Sequence, residues 1–139
     1  MVINKINVSI ASVNFNIDFK NDLVFVEGDS GTGKTLLFKA LLRHAGVYKL
    51  PIVFLNYERT FGDVDIIRNN LIKAKNKLIV IDNADIILDL ELRGRIAMDH
   101  NHNQYLILGR NIHGLGVTKR SLSCLEIVNN KGKLKYEYI

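Results

Sequence analysis

The 139 residues fit one packed core, since a single core commonly serves roughly 100–150 residues, and they leave no room for a two-domain enzyme. At 47% hydrophobic and 24% charged, with one proline, the composition excludes a disordered or low-complexity chain. The formal net charge is +5, and residues 109–139 carry 6 basic and 2 acidic side chains, so most of the surplus lies at the C-terminal end, where it suits phosphates, a nucleic acid, an acidic protein or plain solvation.

No apolar run approaches the ~18 residues of a membrane helix, and Met1–Lys5 leads directly into an alternating pattern, so a soluble chain without a leader or membrane contact is expected. The single cysteine, Cys124, makes no internal disulfide and no zinc site by itself; it suits a reducing cytoplasm and, among apolar neighbours, is expected to be buried.

Ile6, Val8 and Ile10, then Val13, Phe15, Ile17 and Phe19, alternate with polar residues and predict two half-buried strands forming a hairpin. Leu23-Val24-Phe25-Val26 is a continuous apolar run, as in a strand with both faces covered. After a glycine-rich stretch, Leu37, Phe38, Leu41 and Leu42 recur at helical spacing, with Gly46 as the expected stop. The alternation repeats. A strand at Ile52–Asn56 precedes a helix with Val64, Ile67, Leu71 and Ala74 on one stripe, and the strand Leu78-Ile79-Val80-Ile81 precedes a helix over 86–99. Strands at Tyr105–Leu108 and Leu122–Val128 follow, making five buried strands. The turn Asn129-Asn130-Lys131-Gly132 feeds a last strand in which Leu134, Tyr136 and Tyr138 alternate with Lys133, Lys135 and Glu137, as an antiparallel edge does. Such an order predicts one α/β domain over 1–139, with a mostly parallel sheet and helices on both faces.

Gly28-Asp29-Ser30-Gly31-Thr32-Gly33-Lys34-Thr35 fits G-x-x-x-x-G-K-[ST] between a strand and a helix. Glycines let the backbone turn its N–H groups toward the phosphates of a nucleotide, and the helix start adds its positive dipole end. Lys34 is placed to reach the β- and γ-phosphates, and Thr35 to ligate Mg2+. Asp82 ends the apolar strand 78–81 and supplies the carboxylate that holds Mg2+ through water.

With these motifs the chain resembles the P-loop NTPases over about residues 5–128, in the branch of AAA-type, ABC-type and recombinase-like ATPases. The wording Gly31-Thr32-Gly33-Lys34-Thr35 is most similar to the AAA type; the leading hairpin is also similar to the ABC type. The resemblance implies a three-layer sandwich about a five-stranded, mostly parallel sheet of order 5-1-4-3-2, with the hairpin before it and an antiparallel edge strand after it. It also implies ATP and Mg2+ as ligands, and a polar residue contacting the γ-phosphate or the attacking water after strand 105–108. Asn111 matches that position, with Arg110 and His113 as reserves.

The resemblance breaks after Asp82, where efficient hydrolysers carry a glutamate and this chain has Asn83, an amide that cannot accept the proton of water. Asp85, Glu58 after the strand 52–56, or no efficient base at all remain the options. No L-S-G-G-Q signature and no helical lid are present, so a closing surface would come from a protein partner or a second copy, with Arg93, Arg95 or Arg120 as an arginine finger. Three functions compete: a slow, switch-like or motor-type ATPase; a nucleotide or small-molecule kinase using 110–120 as a lid; and a nucleotide-stabilised module whose basic end binds nucleic acid or protein. In the last of these Tyr136 and Tyr138 belong to the core, opposite Lys133 and Lys135. His100 and His102, at i, i+2 beside Asp99, share no helical face and read as a polar helix end rather than a metal site. ATP is favoured over GTP by the lack of an N-K-x-D signature.

Overall fold

The computed structural model describes residues 1–29, 31–111 and 113–137. Among these residues it has eight strands and five α-helices. The chain opens with β1 (Lys5–Ile10) and β2 (Val13–Asp18), then β3 (Leu23–Glu27), α1 (Lys34–Tyr48) and β4 (Ile52–Leu55). There follow α2 (Tyr57–Thr60), α3 (Val64–Lys73), β5 (Leu78–Ile81), α4 (Ala84–Ile87), α5 (Leu90–Ala97) and β6 (Gln104–Gly109). After a 3-10 turn at Lys119–Ser121 come β7 (Leu122–Val128) and β8 (Lys131–Tyr136).

All eight strands join one sheet in the order β1-β2-β8-β7-β3-β6-β5-β4. This corrects the expected five-stranded, mostly parallel sandwich: the sheet is eight-stranded and mixed, and it curls into a half-barrel. β4, β5, β6, β3 and β7 run parallel, β8 is antiparallel to β7 and parallel to β2, and β1 and β2 pair antiparallel as a hairpin. β8 is therefore an interior strand, not an edge; the edges are β1 and β4.

Side-chain period explains the curl. Ile6 and Val8 on β1, Phe15 and Ile17 on β2, Leu125 on β7, and Leu134 and Tyr136 on β8 are buried in one cluster with Leu37, Phe38, Leu41 and Ala45 of α1. The alternate residues of β1, β2 and β8 are polar and mostly exposed, while on β7 Leu122 packs against the opposite-face core. With only one apolar face to cover, β1, β2 and β8 wrap around α1 instead of continuing flat. Gly132 makes the β2–β8 junction possible, because a Cβ there would lie 2.4 Å from the Phe15 ring.

The central strands are apolar on both sides. Val24, Val26, Val80, Leu106 and Leu108 face α1, whereas Phe25, Ile79, Ile81 and Ile107 pack against Ile67 and Leu71 of α3, Ile87 of α4, and Leu92 and Ile96 of α5. Every residue of β5 and β6 is buried.

Several local boundaries also differ from the expected ones. The helix at 86–99 is two short helices, because Asp89 caps α5 by accepting a hydrogen bond from Leu92 N at 2.8 Å. α1 passes Gly46 and stops where Lys49 turns left-handed, φ 52°. Asn56, expected within a strand, caps α2 by accepting from Arg59 N at 2.9 Å. Cys124 is exposed rather than buried: it pairs with Lys135 on the outward face, while Ser123 and Leu125 point inward. Tyr136 is buried, and Tyr138 lies outside the described residues. Among the described residues no helix is long and apolar enough to cross a membrane.

Candidate functional site

The ends of three parallel neighbours, β3, β5 and β6, meet at one edge of the sheet, the position at which open α/β sheets place their ligands. Gly28 N donates to Gly109 O at 3.2 Å and ties the loop after β3 to the end of β6. A cleft of about 650 Å³ opens here, lined among others by Gly31, Gly33, Lys34, Thr35, Asp82, Asp85 and Arg110.

The loop from Gly28 to Gly33 needs its glycines. Gly31 and Gly33 have φ 84° and 98°, and a Cβ on Gly33 would meet Ile127 Cδ1 at 2.6 Å. Gly33 also precedes α1 in the capping position, where the helix has no side-chain cap and no acidic residue in its first turn among the described residues. Its first amides therefore have no side-chain cap, and the start of the helix borders the cleft through Gly33, Lys34 and Thr35. Ser30, expected among the phosphate contacts, lies outside the described residues.

Lys34 folds back over this loop. Its Nζ donates to Gly28 O at 2.5 Å, Asp29 O at 2.7 Å and Thr32 Oγ1 at 3.1 Å, which occupies all three ammonium donors. Thr32 Oγ1 in turn donates to Asp29 O at 3.0 Å. Burial holds the Lys34 pKa below the ordinary lysine value; nearby Arg110 lowers it too, while Asp82, Asp29 and Asp85 pull it up.

Asp82 follows β5 and is buried, 5% exposed. Its Oδ2 accepts the Thr35 hydroxyl at 3.0 Å and its Oδ1 accepts Asn83 N at 2.9 Å. The sequence separates Thr35 and Asp82 by 47 positions, and the pairing of β3, β6 and β5 brings them into contact. One hydroxyl and one carboxylate make a hard-oxygen pair of the kind Mg2+ uses together with substrate phosphates and water. Among the described residues no group of three or more His, Cys, Asp or Glu is gathered for a metal.

The candidates for catalysis are placed unevenly. Asp85 lines the cleft, but its Oδ2 accepts Arg110 N at 2.7 Å and its Oδ1 accepts Asn111 N at 3.1 Å, so both oxygens hold the chain leaving β6. Gly109 permits that approach, since a Cβ there would lie 3.0 Å from Asp85 Oδ1. Asn111 is exposed and meets Asp85 through its backbone; Arg110, a reserve by sequence, is the residue of this pair that lines the cleft. Glu58 sits exposed on α2, outside the cleft lining. Arg93 spends its guanidinium on Leu88 O at 2.9 Å and His113 O at 3.1 Å, bracing the loop after β6.

Asn83 has a role that spacing did not reveal. It adopts a left-handed φ of 56°, which asparagine tolerates better than glutamate does, and its Oδ1 accepts Tyr57 N at 3.2 Å. The side chain thereby fastens the start of α2 to the end of β5. The available signal was the residue type itself, an asparagine at a strand-to-helix turn.

Comparison with protein-family models, curated proteins and solved structures finds no match to this chain.

Proposed function

We propose that the protein binds Mg-ATP at the cleft over β3, β5 and β6 and hydrolyses it slowly, acting in the cytoplasm as a nucleotide-dependent switch or partner-dependent ATPase related to the P-loop NTPases. The observation that carries this reading is the contact of Thr35 Oγ1 with the buried Asp82 Oδ2 at 3.0 Å, beside the uncapped start of α1. Two motifs far apart in sequence supply one hydroxyl, one carboxylate and one ammonium to the same cleft.

In this reading the loop amides and Lys34 hold the phosphates, while Thr35 and Asp82 hold Mg2+, which supplies charge neutralisation for phosphoryl transfer. Slow turnover follows from the carboxylates. Asp85 is committed to two backbone N–H groups, Asn83 carries an amide, and Glu58 lies away from the cleft. The factor of roughly 10²–10⁴ that a general base contributes is then missing until a partner or second copy supplies it. Arg110 is assigned the γ-phosphate side of the cleft, ahead of Asn111. Transfer to a small-molecule or nucleotide acceptor is the second reading of the same cleft, and phosphoryl transfer to an acceptor rather than to water would mark it.

The test is urea denaturation with and without Mg-ATP, paired with phosphate release. Wild type gains about 2.7 kcal/mol of stability at a hundredfold excess of nucleotide over its dissociation constant, and Lys34→Ala loses that gain. Equal stabilisation of wild type and Lys34→Ala, or none in either, removes the proposal.

A further inference from the structure

A sheet that stays open has two edges, and this one ends in β1 and β4. The β4 edge is partly closed by its own chain. Leu78 N donates to Pro51 O at 3.0 Å and Asp82 N to Leu55 O at 2.9 Å, so Pro51 and Leu55 turn their backbone toward β5, while Ile52 and Phe54 turn theirs outward. There Ile52 N donates to Leu50 O at 2.8 Å, and Phe54 O accepts from Arg59 Nε at 3.2 Å. β1 has no such cover. Phe19 N donates to Asn4 O at 2.9 Å, which fixes the alternation: Asn4, Ile6, Val8 and Ile10 bond toward β2, and Lys5, Asn7 and Ser9 direct their N–H and C=O groups away from it. These three residues are exposed, and among the described residues no hydrogen bond reaches their backbone. The strand also lacks the proline or bulge that commonly blunts an edge, and its six residues pair with β2 in unbroken register.

We infer that β1 is an association surface, and that its occupant is the β1 of a second copy of this chain, added antiparallel across a two-fold axis at Asn7. The register follows from which groups are open. Pairing Asn7 with Asn7 of the second copy sets Lys5 opposite Ser9 and Ser9 opposite Lys5, so all three outward residues of each strand enter hydrogen-bonded pairs. Sliding the second strand by two residues in either direction carries one of the three past the end of β1. Charge agrees with the same register: Lys5 is the one ionisable residue of β1, and it meets a serine hydroxyl instead of the second lysine. On the inner face Ile6 comes beside Val8, both already buried against α1, so the apolar layer of one sheet continues into the next. Two-fold pairing uses each β1 edge once, and association therefore stops at a dimer. The β4 edge of another copy is the poorer partner, because its outward groups are already partly bonded.

The inference does not rest on nucleotide binding: β2, β8 and β7 lie between β1 and β3, and the pairing uses none of the residues that line the cleft. Sedimentation velocity over about 1–100 μM protein tests it, a span of dissociation constants that covers weak to moderate pairing. Wild type is expected to pass from monomer to dimer and to go no further. Asn7→Pro removes an N–H at the axis from both strands, at an edge position where the fold tolerates proline, and Asn7→Lys sets two cations against each other there. Each is expected to weaken dimerisation about tenfold or more, with unchanged circular dichroism; Asn7→Lys alters an exposed side chain alone and keeps the test decisive if the proline variant fails to fold. Oxidation reads the register. With the exposed Cys124 replaced by Cys124→Ser, Asn7→Cys is expected to give a covalent dimer, because opposed Cα atoms of a hydrogen-bonded pair lie about 5.5 Å apart, within disulfide reach. Lys5→Cys is expected to give none, since position 5 lies about 13 Å from its own counterpart in this register. A monomer over the whole range, association that continues beyond the dimer, wild-type dimerisation by Asn7→Lys, or equal cross-linking by Lys5→Cys overturns the inference.

Discussion

Both carboxylate oxygens of Asp85 are taken by consecutive backbone N–H groups, and this decides what its substitution does. Asp85→Asn removes one acceptor and turns an amide donor toward another donor, at a cost of about 0.5–1.5 kcal/mol in urea denaturation without nucleotide, because both bonds are solvent-exposed. A base role for Asp85 would show instead as a loss of phosphate release in the folded variant beyond that small loss of stability. Lys34 gives a prediction in pH. Its pKa lies below the ordinary value in the free protein, chiefly through burial. On the proposed Mg-ATP reading phosphates raise it, so binding takes up a proton at pH values around the lowered pKa; affinity is level below that pKa and falls as the pH rises through it, which calorimetry across pH measures, and Lys34→Arg abolishes that fall. Folding stability of the free protein moves in the opposite direction. The unfolded lysine holds its proton more tightly than the folded one, so the cost of Lys34 is fully present below the folded pKa and is relieved as the pH rises toward the unfolded value.

Among elements, the β1–β2 hairpin is closed by Ala11 and Ser12, with φ 48° and 66°, between the paired residues Ile10 and Val13. A two-residue turn with both φ positive matches the strand twist and favours Asn-Gly. The β7–β8 turn meets the same need with Asn129 and Asn130, φ 52° and 60°. Ala11→Asn with Ser12→Gly should raise stability by about 1–2 kcal/mol by relieving left-handed strain, read as a shift of the urea midpoint at unchanged slope. These turns also show what local signals convey. The hairpin was legible because alternation and turn length are both local. The break at Leu88 and Asp89 was not read from the apolar spacing of 86–99, although the Asp89-Leu90-Glu91-Leu92 run holds a capping residue.

At the scale of the molecule, Phe15 joins what the sequence presents as separate pieces. It is fully buried, lies over Gly132 of β8, and shares a cluster with α1. Phe15→Ala is expected to cost about 3–5 kcal/mol. The hairpin, α1 and the central strands share that cluster, so far-UV circular dichroism and tyrosine fluorescence should report the loss in one coincident transition; two separate transitions would show that the hairpin is only appended to the sheet.

The sequence by itself determined the strands, most of α1 and α3 and the glycine-rich loop between β3 and α1, because periodicity and glycine placement act within a few residues. It also determined that one face of β1, β2 and β8 is polar. Tertiary structure alone decided that β8 runs between β2 and β7, that the sheet closes around α1 as an eight-stranded half-barrel, and that Cys124 faces outward. It also decided that Asp85 and Asn83 are spent on backbone N–H groups while Arg110 reaches the cleft. Strand pairing and side-chain partnership join residues as far apart as Phe15 and Gly132, and the free energy that selects them comes from apolar faces meeting across the sheet, which no local pattern along the chain encodes.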